Sequence, residues 1–211
     1  MTILHNISVA LQEGRAKDVK ELVQQAIDEG IGAQAILENG LLAGMNVIGA
    51  KFRLGEAFVP EVLIAARAMN IGMALLKPLL VTAGVEATGK VVIGTVKGDL
   101  HDIGKNLVRM MMQGKGLEVI DLGADVSAEK FIQAINDHSA DILALSAMLT
   151  TTMYEMKVVI DALKAAGIRD KVKVMVGGAP VTEGFRATIG ADSYSVDAAT
   201  ASENAIALIS K

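Results

Sequence analysis

Residues 91–106 read Val-Val-Ile-Gly-Thr-Val-Lys-Gly-Asp-Leu-His-Asp-Ile-Gly-Lys-Asn, and this stretch constrains the rest of the chain most tightly. Its first six residues are mostly β-branched and apolar, which suits a buried strand. Residues 97–102 are polar and contain Gly98, as a loop does. From Ile103 onward Leu107, Val108, Met110 and Met111 recur at helical spacing. The segment is therefore strand, loop, helix, with His101 on the loop. The alternation then continues. Strands are expected at 117–122, 142–146 and 173–176, with a weak one around 193–196. Helices are expected at 128–137, 151–165, near 183–188 and over 200–209.

Five strands alternating with helices predict an α/β domain with a doubly wound parallel sheet, flavodoxin-like and ordered 2-1-3-4-5. In that order strands one, three and four end side by side. The loops there carry His101, residues 146–152 and residues 177–179. In open α/β sheets ligands bind in the crevice at such strand ends.

The first 82 residues read differently, as helices only. Ile3, Ile7, Ala10 and Leu11 share one helical face. Val19, Leu22, Val23, Ala26 and Ile27 follow the i, i+3, i+4 pattern, and Leu37, Leu41, Met45, Ile48 and Phe52 make a third stripe. Pro60 suits the first position of a fourth helix, and Pro78 is expected to kink or end it. A four-helix bundle over 1–82 follows. Residues 83–90 have two glycines and no apolar period, which marks a linker before a second domain over 91–211.

Composition excludes several classes. The net charge is −4 and aromatic residues are 3%, so neither the basic surface nor the stacking platforms of a nucleic-acid binder are present. The chain has no cysteine, hence no disulfide framework, thiolate metal site or thiol nucleophile. No basic region followed by an apolar run opens the chain, and no uninterrupted apolar segment is long enough to cross a bilayer. A cytoplasmic protein that binds neither nucleic acid nor membrane is expected.

Asp99 precedes His101 by two residues and Asp102 follows it. That pattern suits a metal-ligating imidazole, with one ring nitrogen on the metal and the other donating to a carboxylate. The same residues also suit a turn cap and a helix cap, and spacing alone does not separate the two. Gly104 admits bulk near the start of the helix. His5 and His138 read as surface residues of helices. Without cysteine, and with scattered histidines, no zinc-site pattern is present.

Asp99-x-His101-x-x-Gly104 resembles the Asp-x-His-x-x-Gly signature of cobalamin-binding domains. Ser146-x-Met148 and Gly177-Gly178-Ala179 follow in order, each at an expected strand end, and resemble two further parts of that family's pattern. Met148 stands where the family usually has leucine. Gly44-Met45-Asn46, Phe52 and Phe58-Val59-Pro60-Glu61 resemble the helical cap of methyl-transferring corrinoid proteins.

The resemblance implies a cofactor, cobalamin or a related corrinoid, bound base-off with His101 as the lower ligand of cobalt. It implies an Asp99–His101–Thr152 relay, with Thr150 and Thr151 as neighbours that leave the hydroxyl uncertain by one residue. Gly98, Leu100, Asp102, Ile103 and Gly104 would line the cofactor beside His101. Ser146, Met148, Thr150, Gly177, Gly178, Ala179 and Tyr194 would line the channel for its nucleotide tail. Capping of the 151–165 helix is the other role open to the threonines, and half-buried strand packing the other role open to Tyr194. Phe58 and, less directly, Met69 would belong to the cap, although a stripe through Phe58, Val62, Ala65 and Met69 equally suits bundle core.

The implied function is a methyl carrier subunit rather than a stand-alone catalyst. It would take a methyl group on cobalt(I) from a substrate-specific methyltransferase and deliver it to a second one acting on tetrahydrofolate or a thiol. A reductive activase would be a third partner. Three alternatives use similar modules. A phospho-receiver needs an acceptor Asp ending strand three, where this chain has Ser146-Ala147-Met148. A cobalamin-dependent sensor needs an output domain. The small subunit of a carbon-skeleton mutase usually lacks a four-helix cap.

Overall fold

The computed structural model describes residues 2–85 and 87–210, and the chain divides near residue 88 into two compact units. The first is helical: α1 (Ile3–Gln12), α2 (Ala16–Asp28), α3 (Ala33–Ile36), α4 (Ala43–Arg53) and α5 (Val59–Thr82). A π-helical turn, Leu37–Leu42, joins α3 to α4, so the third expected helix is one rod with a widened middle. Ile7, Leu11, Val19, Val23, Leu41 and Leu76 are fully buried and fill this unit. Gly44 marks a close crossing, since a Cβ there would stand 2.9 Å from the Ser8 carbonyl oxygen of α1.

Two expectations for α5 need correction. Val59 opens the helix and Pro60 follows it, with the Phe58 N–H held by the Glu61 carboxylate at 3.0 Å. The helix then runs through Pro78 to Thr82 rather than ending at the proline. Pro78 lies one turn from the end, and the Thr82 hydroxyl donates to its carbonyl at 2.9 Å. The second correction concerns length. At 24 residues α5 is, by length and composition, long and apolar enough to cross a membrane. Its apolar side, including Val62, Ala65, Ala68, Met69 and Leu76, is buried in the bundle, which accounts for that composition.

The second unit is the expected sheet. Strands β1 (Lys90–Thr95), β2 (Glu118–Asp121), β3 (Ile142–Ser146), β4 (Lys173–Gly177) and β5 (Ser193–Tyr194) are ordered β2-β1-β3-β4-β5, with every pairing parallel. Helices α6 (Ile103–Gln113), α7 (Ala128–His138), α8 (Glu155–Ala165), α9 (Glu183–Ile189) and α10 (Ala198–Ile209) complete it. Alternate strand residues feed opposite faces. Val92, Leu143 and Val174 pack with Phe131 of α7 and Met156 and Ile160 of α8. Val91, Ile93, Ile142, Ala144 and Met175 pack with Met112 of α6 and Ala201 and Ala205 of α10. Both faces are thus covered, which explains why the strands read as apolar runs rather than alternating ones.

Local signals set several boundaries. Ser127 caps α7 through the Lys130 N–H, and Asp197 caps α10 through the Thr200 N–H. The expected threonine cap of α8 is absent. Residues 150–154 form turns, and α8 begins only at Glu155, behind a Tyr154 N-cap without a side-chain hydrogen bond.

Phe131 is fully buried where Gly94 of β1 makes room for its ring. Replacing Phe131 with alanine should lower the unfolding free energy by about 3–5 kcal/mol, read from the midpoint of denaturant unfolding.

Candidate functional site

The chain turns sharply after β1, and the first polar side chain to face inward is Asp99, with no exposed surface. A carboxylate taken out of water needs its lone pairs filled. Here both oxygens are served twice. Oδ1 accepts from the His101 backbone N–H at 3.1 Å and lies 2.8 Å from His101 Nδ1. Oδ2 accepts from the Met148 N–H at 2.7 Å and from the Thr152 hydroxyl at 2.6 Å. Burial pushes this carboxyl up. The Thr152 hydroxyl, the Met148 N–H and the two His101 donors outweigh it and hold the group well below the usual carboxylate range. Asp99 is therefore an anion at neutral pH.

An ionised Asp99 assigns the tautomer of its neighbour. Nδ1 of His101 must carry the hydrogen, which leaves the Nε2 lone pair directed away from the carboxylate. The His101 side chain is 56% exposed, so that lone pair is open to a ligand. The hydrogen bond to Asp99 also fixes the orientation of the ring. The backbone of the same residue is fixed separately: the buried Thr95 hydroxyl donates to the His101 carbonyl at 2.9 Å.

The surroundings of His101 are apolar and open. Leu100 is 76% exposed and Met148 49% on the neighbouring loops, and Ile103, opening α6, is 81% exposed. Apolar side chains left in water around an open nitrogen donor mark a surface for a ligand or a partner. Gly98 and Asp102 of the loop and Gly104 in the first turn of α6 are exposed, and a Cβ at Gly104 would meet no protein atom within 4 Å.

The strand ends close the crevice. Ser146 pairs with Thr95 on one side and Gly177 on the other, and the Ala147 N–H donates to the Gly177 carbonyl at 3.2 Å. Gly178 then adopts φ +125°, and a Cβ there would run into the Ala147 carbonyl. Glycine at this position is thus demanded by the protein's own backbone, besides any space it leaves for a ligand. Ala179 is exposed next to it.

Among the expected residues, Asp99, His101 and Thr152 form one hydrogen-bonded chain. The threonine run resolves to Thr152, which is buried, whereas Thr150 and Thr151 are exposed. Tyr194 is half-buried and packs against the core beneath α7 and α8. The helical unit divides the remaining pair. Phe58 is 65% exposed. Met69, with Val62 and Ala65, is bundle core, so the stripe through Phe58 does not face outward.

Sequence reasoning missed Thr95, the Met148 N–H, and the Lys105–Asp121 pair. Lys105 is 2% exposed, and its ammonium lies 2.6 Å from both Asp121 oxygens. A polar Thr95 ending an apolar strand was the only visible signal. A backbone N–H carries none, because almost every residue has one.

The site so built is a histidine presented to a ligand at the switch point of a doubly wound sheet. Two family profiles, each described as a B12 binding domain, match this chain over residues 89–208 and 3–77. The chain belongs to the B12-binding family. It is 40% identical to a corrinoid protein of Desulfitobacterium hafniense (strain Y51), across 100% of this chain and 99% of that one. It is 44% identical to the dimethylamine corrinoid protein of Methanosarcina barkeri, covering 94% and 93% of the two chains. In structure it resembles a chain of the methanol:cobalamin methyltransferase complex of Methanosarcina barkeri, with TM-score 0.89, 34% identity, and coverage of 99% of this chain and 80% of that chain.

Thr152→Val keeps the shape and removes one donor from buried Asp99. It should lower the unfolding free energy by about 1.5–3 kcal/mol at neutral pH, with an unchanged denaturant slope. Gly178→Ala should destabilise the fold as well, in the same unfolding measurement, because both φ and the Ala147 carbonyl oppose it.

Proposed function

We propose that this protein is a corrinoid methyl carrier, holding cobalamin or a related corrinoid base-off with His101 as the lower ligand of cobalt. One observation carries the reading: a buried, fully hydrogen-bonded Asp99 fixes the tautomer of an exposed His101, which leaves Nε2 without a hydrogen and free to serve as a donor. When bound, the corrinoid supplies a cobalt centre that is nucleophilic in its reduced state and accepts and gives up a methyl group. Every other task belongs to the chain.

Nε2 of His101 is the donor for the metal. Asp99 keeps the hydrogen on Nδ1 and anchors the ring, and Thr152 anchors Asp99. Leu100, Ile103 and Met148 offer the apolar rim on which the macrocycle rests. Gly98, Asp102 and Gly104 give it room beside the histidine. Ser146, Thr150, Gly177, Gly178, Ala179 and Tyr194 are assigned to the displaced tail, the hydroxyls by hydrogen bonding and the glycines by leaving space. Phe58 is the helical-unit residue assigned to the cofactor, and Met69 is left to the bundle. Residues 1–82 serve as the cap domain, 83–90 as linker and 91–211 as the cofactor domain.

The partners follow from the chemistry. A substrate-specific methyltransferase positions the donor, a second methyltransferase holds tetrahydrofolate or a thiol, and a reductive activase restores the reduced cobalt. Relatives named for dimethylamine, and the likeness to a chain of a methanol:cobalamin methyltransferase complex, support a methyltransferase as partner. They lend nothing to the sensor alternative. The same reading places the carrier in the cytoplasm.

The test is a visible spectrum after incubation with hydroxocobalamin and desalting, for the wild type and His101→Ala. The wild type should retain the corrin, and the variant should show an altered spectrum; replacing Asp99 with asparagine should weaken ligation on the order of 10–100-fold. A folded wild type that retains no corrin sinks the proposal. Identical spectra in the two proteins remove His101 from the metal.

A further inference from the structure

The loop between β2 and α7 does not leave the sheet at the end of its strand. The Leu122 N–H donates to the Ile93 carbonyl at 2.9 Å, and the Thr95 N–H donates to the Gly123 carbonyl at 2.9 Å. The Val126 N–H then donates to the Thr95 carbonyl at 3.0 Å, and Val96 and Val126 form a further parallel bridge. The loop therefore runs beside β1 past its end and reaches the turn that carries His101.

The end of β2 and this loop together hold the turn on both sides of the histidine. Before His101, the Asp125 carboxylate accepts from the Gly98 N–H at 2.7 Å, and the Asp125 N–H donates to the Asp99 carbonyl at 3.0 Å. After His101, Asp121 holds the buried Lys105 ammonium of α6 at 2.6 Å and also accepts from the Gly123 N–H at 2.9 Å. Asp125 does this with φ +54°, a left-handed conformation that glycine would adopt with less strain. A glycine there would keep the donated hydrogen bond but lose the carboxylate. The pair Gly98–Asp99 is the segment from which the Asp99 side chain reaches His101.

We propose that Asp125 is a positioning residue for His101, acting through the Gly98–Asp99 backbone from a loop whose Gly123 N–H is held by Asp121, the residue that also holds Lys105 of α6. Asp125 touches neither the ligand nor the imidazole. Its effect is to hold the Asp99 carboxylate where it keeps the ring upright, so that Nε2 meets the metal in one orientation. This rests on the reading of His101 as the cobalt ligand. An outer partner of this kind is worth about tenfold in ligand affinity.

The experiment uses the full chain titrated with hydroxocobalamin, read by visible spectrum and dissociation constant, for the wild type, D125G, D125N and H101A. The D125G protein suits the backbone conformation, and far-UV circular dichroism and thermal unfolding without corrin check its fold. It should bind about tenfold more weakly, with its spectrum moved toward that of H101A. The D125N protein keeps a side-chain acceptor and tolerates positive φ, so it should recover most of the wild-type behaviour. A D125G protein matching the wild type, while H101A differs, overturns the inference and leaves the ligation reading intact. Equal impairment of D125N and D125G also overturns it, since the acceptor for Gly98 would not then carry the effect. An H101A protein matching the wild type overturns the ligation reading and this inference with it.

Discussion

One carboxylate taken out of water organises the site. Asp99 has no exposed surface, and an unpartnered charge there would be strongly destabilising. Its four donors come from three places: the loop after β1, the residue group just past β3, and the turn before α8. Those segments lie 49 and 53 residues from Asp99 along the chain at Met148 and Thr152. The satisfied carboxylate exists only when β1 and β3 are paired neighbours. Folding of the sheet and construction of the site are therefore one event.

The strand order explains why the histidine is so well supported. β1 is flanked by β2 on one side and β3 on the other, so the loops following both neighbours arrive at the loop that carries His101. From the β3 side come the donors to Asp99. From the β2 side come Asp125, Asp121 and, through it, Lys105. Thr95, ending β1 itself, holds the His101 carbonyl. The imidazole is exposed, yet the backbone beneath it is bonded from three strands. A rigid base under an open donor is the arrangement a binding site needs if little ordering is to be lost on ligand binding.

Much of this was legible in advance. Apolar runs separated by helical periods specify a parallel sheet covered on both faces, and the short-range turn and cap signals place most boundaries within a few residues. Asp99, His101 and Gly104 stood out because residue type and spacing carry chemical meaning. What escaped was long-range or main-chain in origin. The Met148 N–H has no sequence signature, and nothing adjacent in the chain marks Lys105 as the buried partner of Asp121. Pro78 does not end its helix and Met69 lies in the bundle core for a related reason. Tertiary packing overrides a local breaker near a helix end, and an apolar stripe has two candidate neighbours until the bundle is formed.

By itself the sequence determined the class of fold, the loop that presents the histidine, and the family to which the chain belongs. These depend on local periodicity and on residues adjacent in the chain. Only the tertiary structure decided which threonine joins Asp99, which tautomer His101 adopts, why Gly178 must be glycine, and how the loop after β2 grips the turn. Each of these is a hydrogen bond or a steric contact between segments distant in sequence. Such contacts are set by strand order and register, which no local pattern encodes residue by residue.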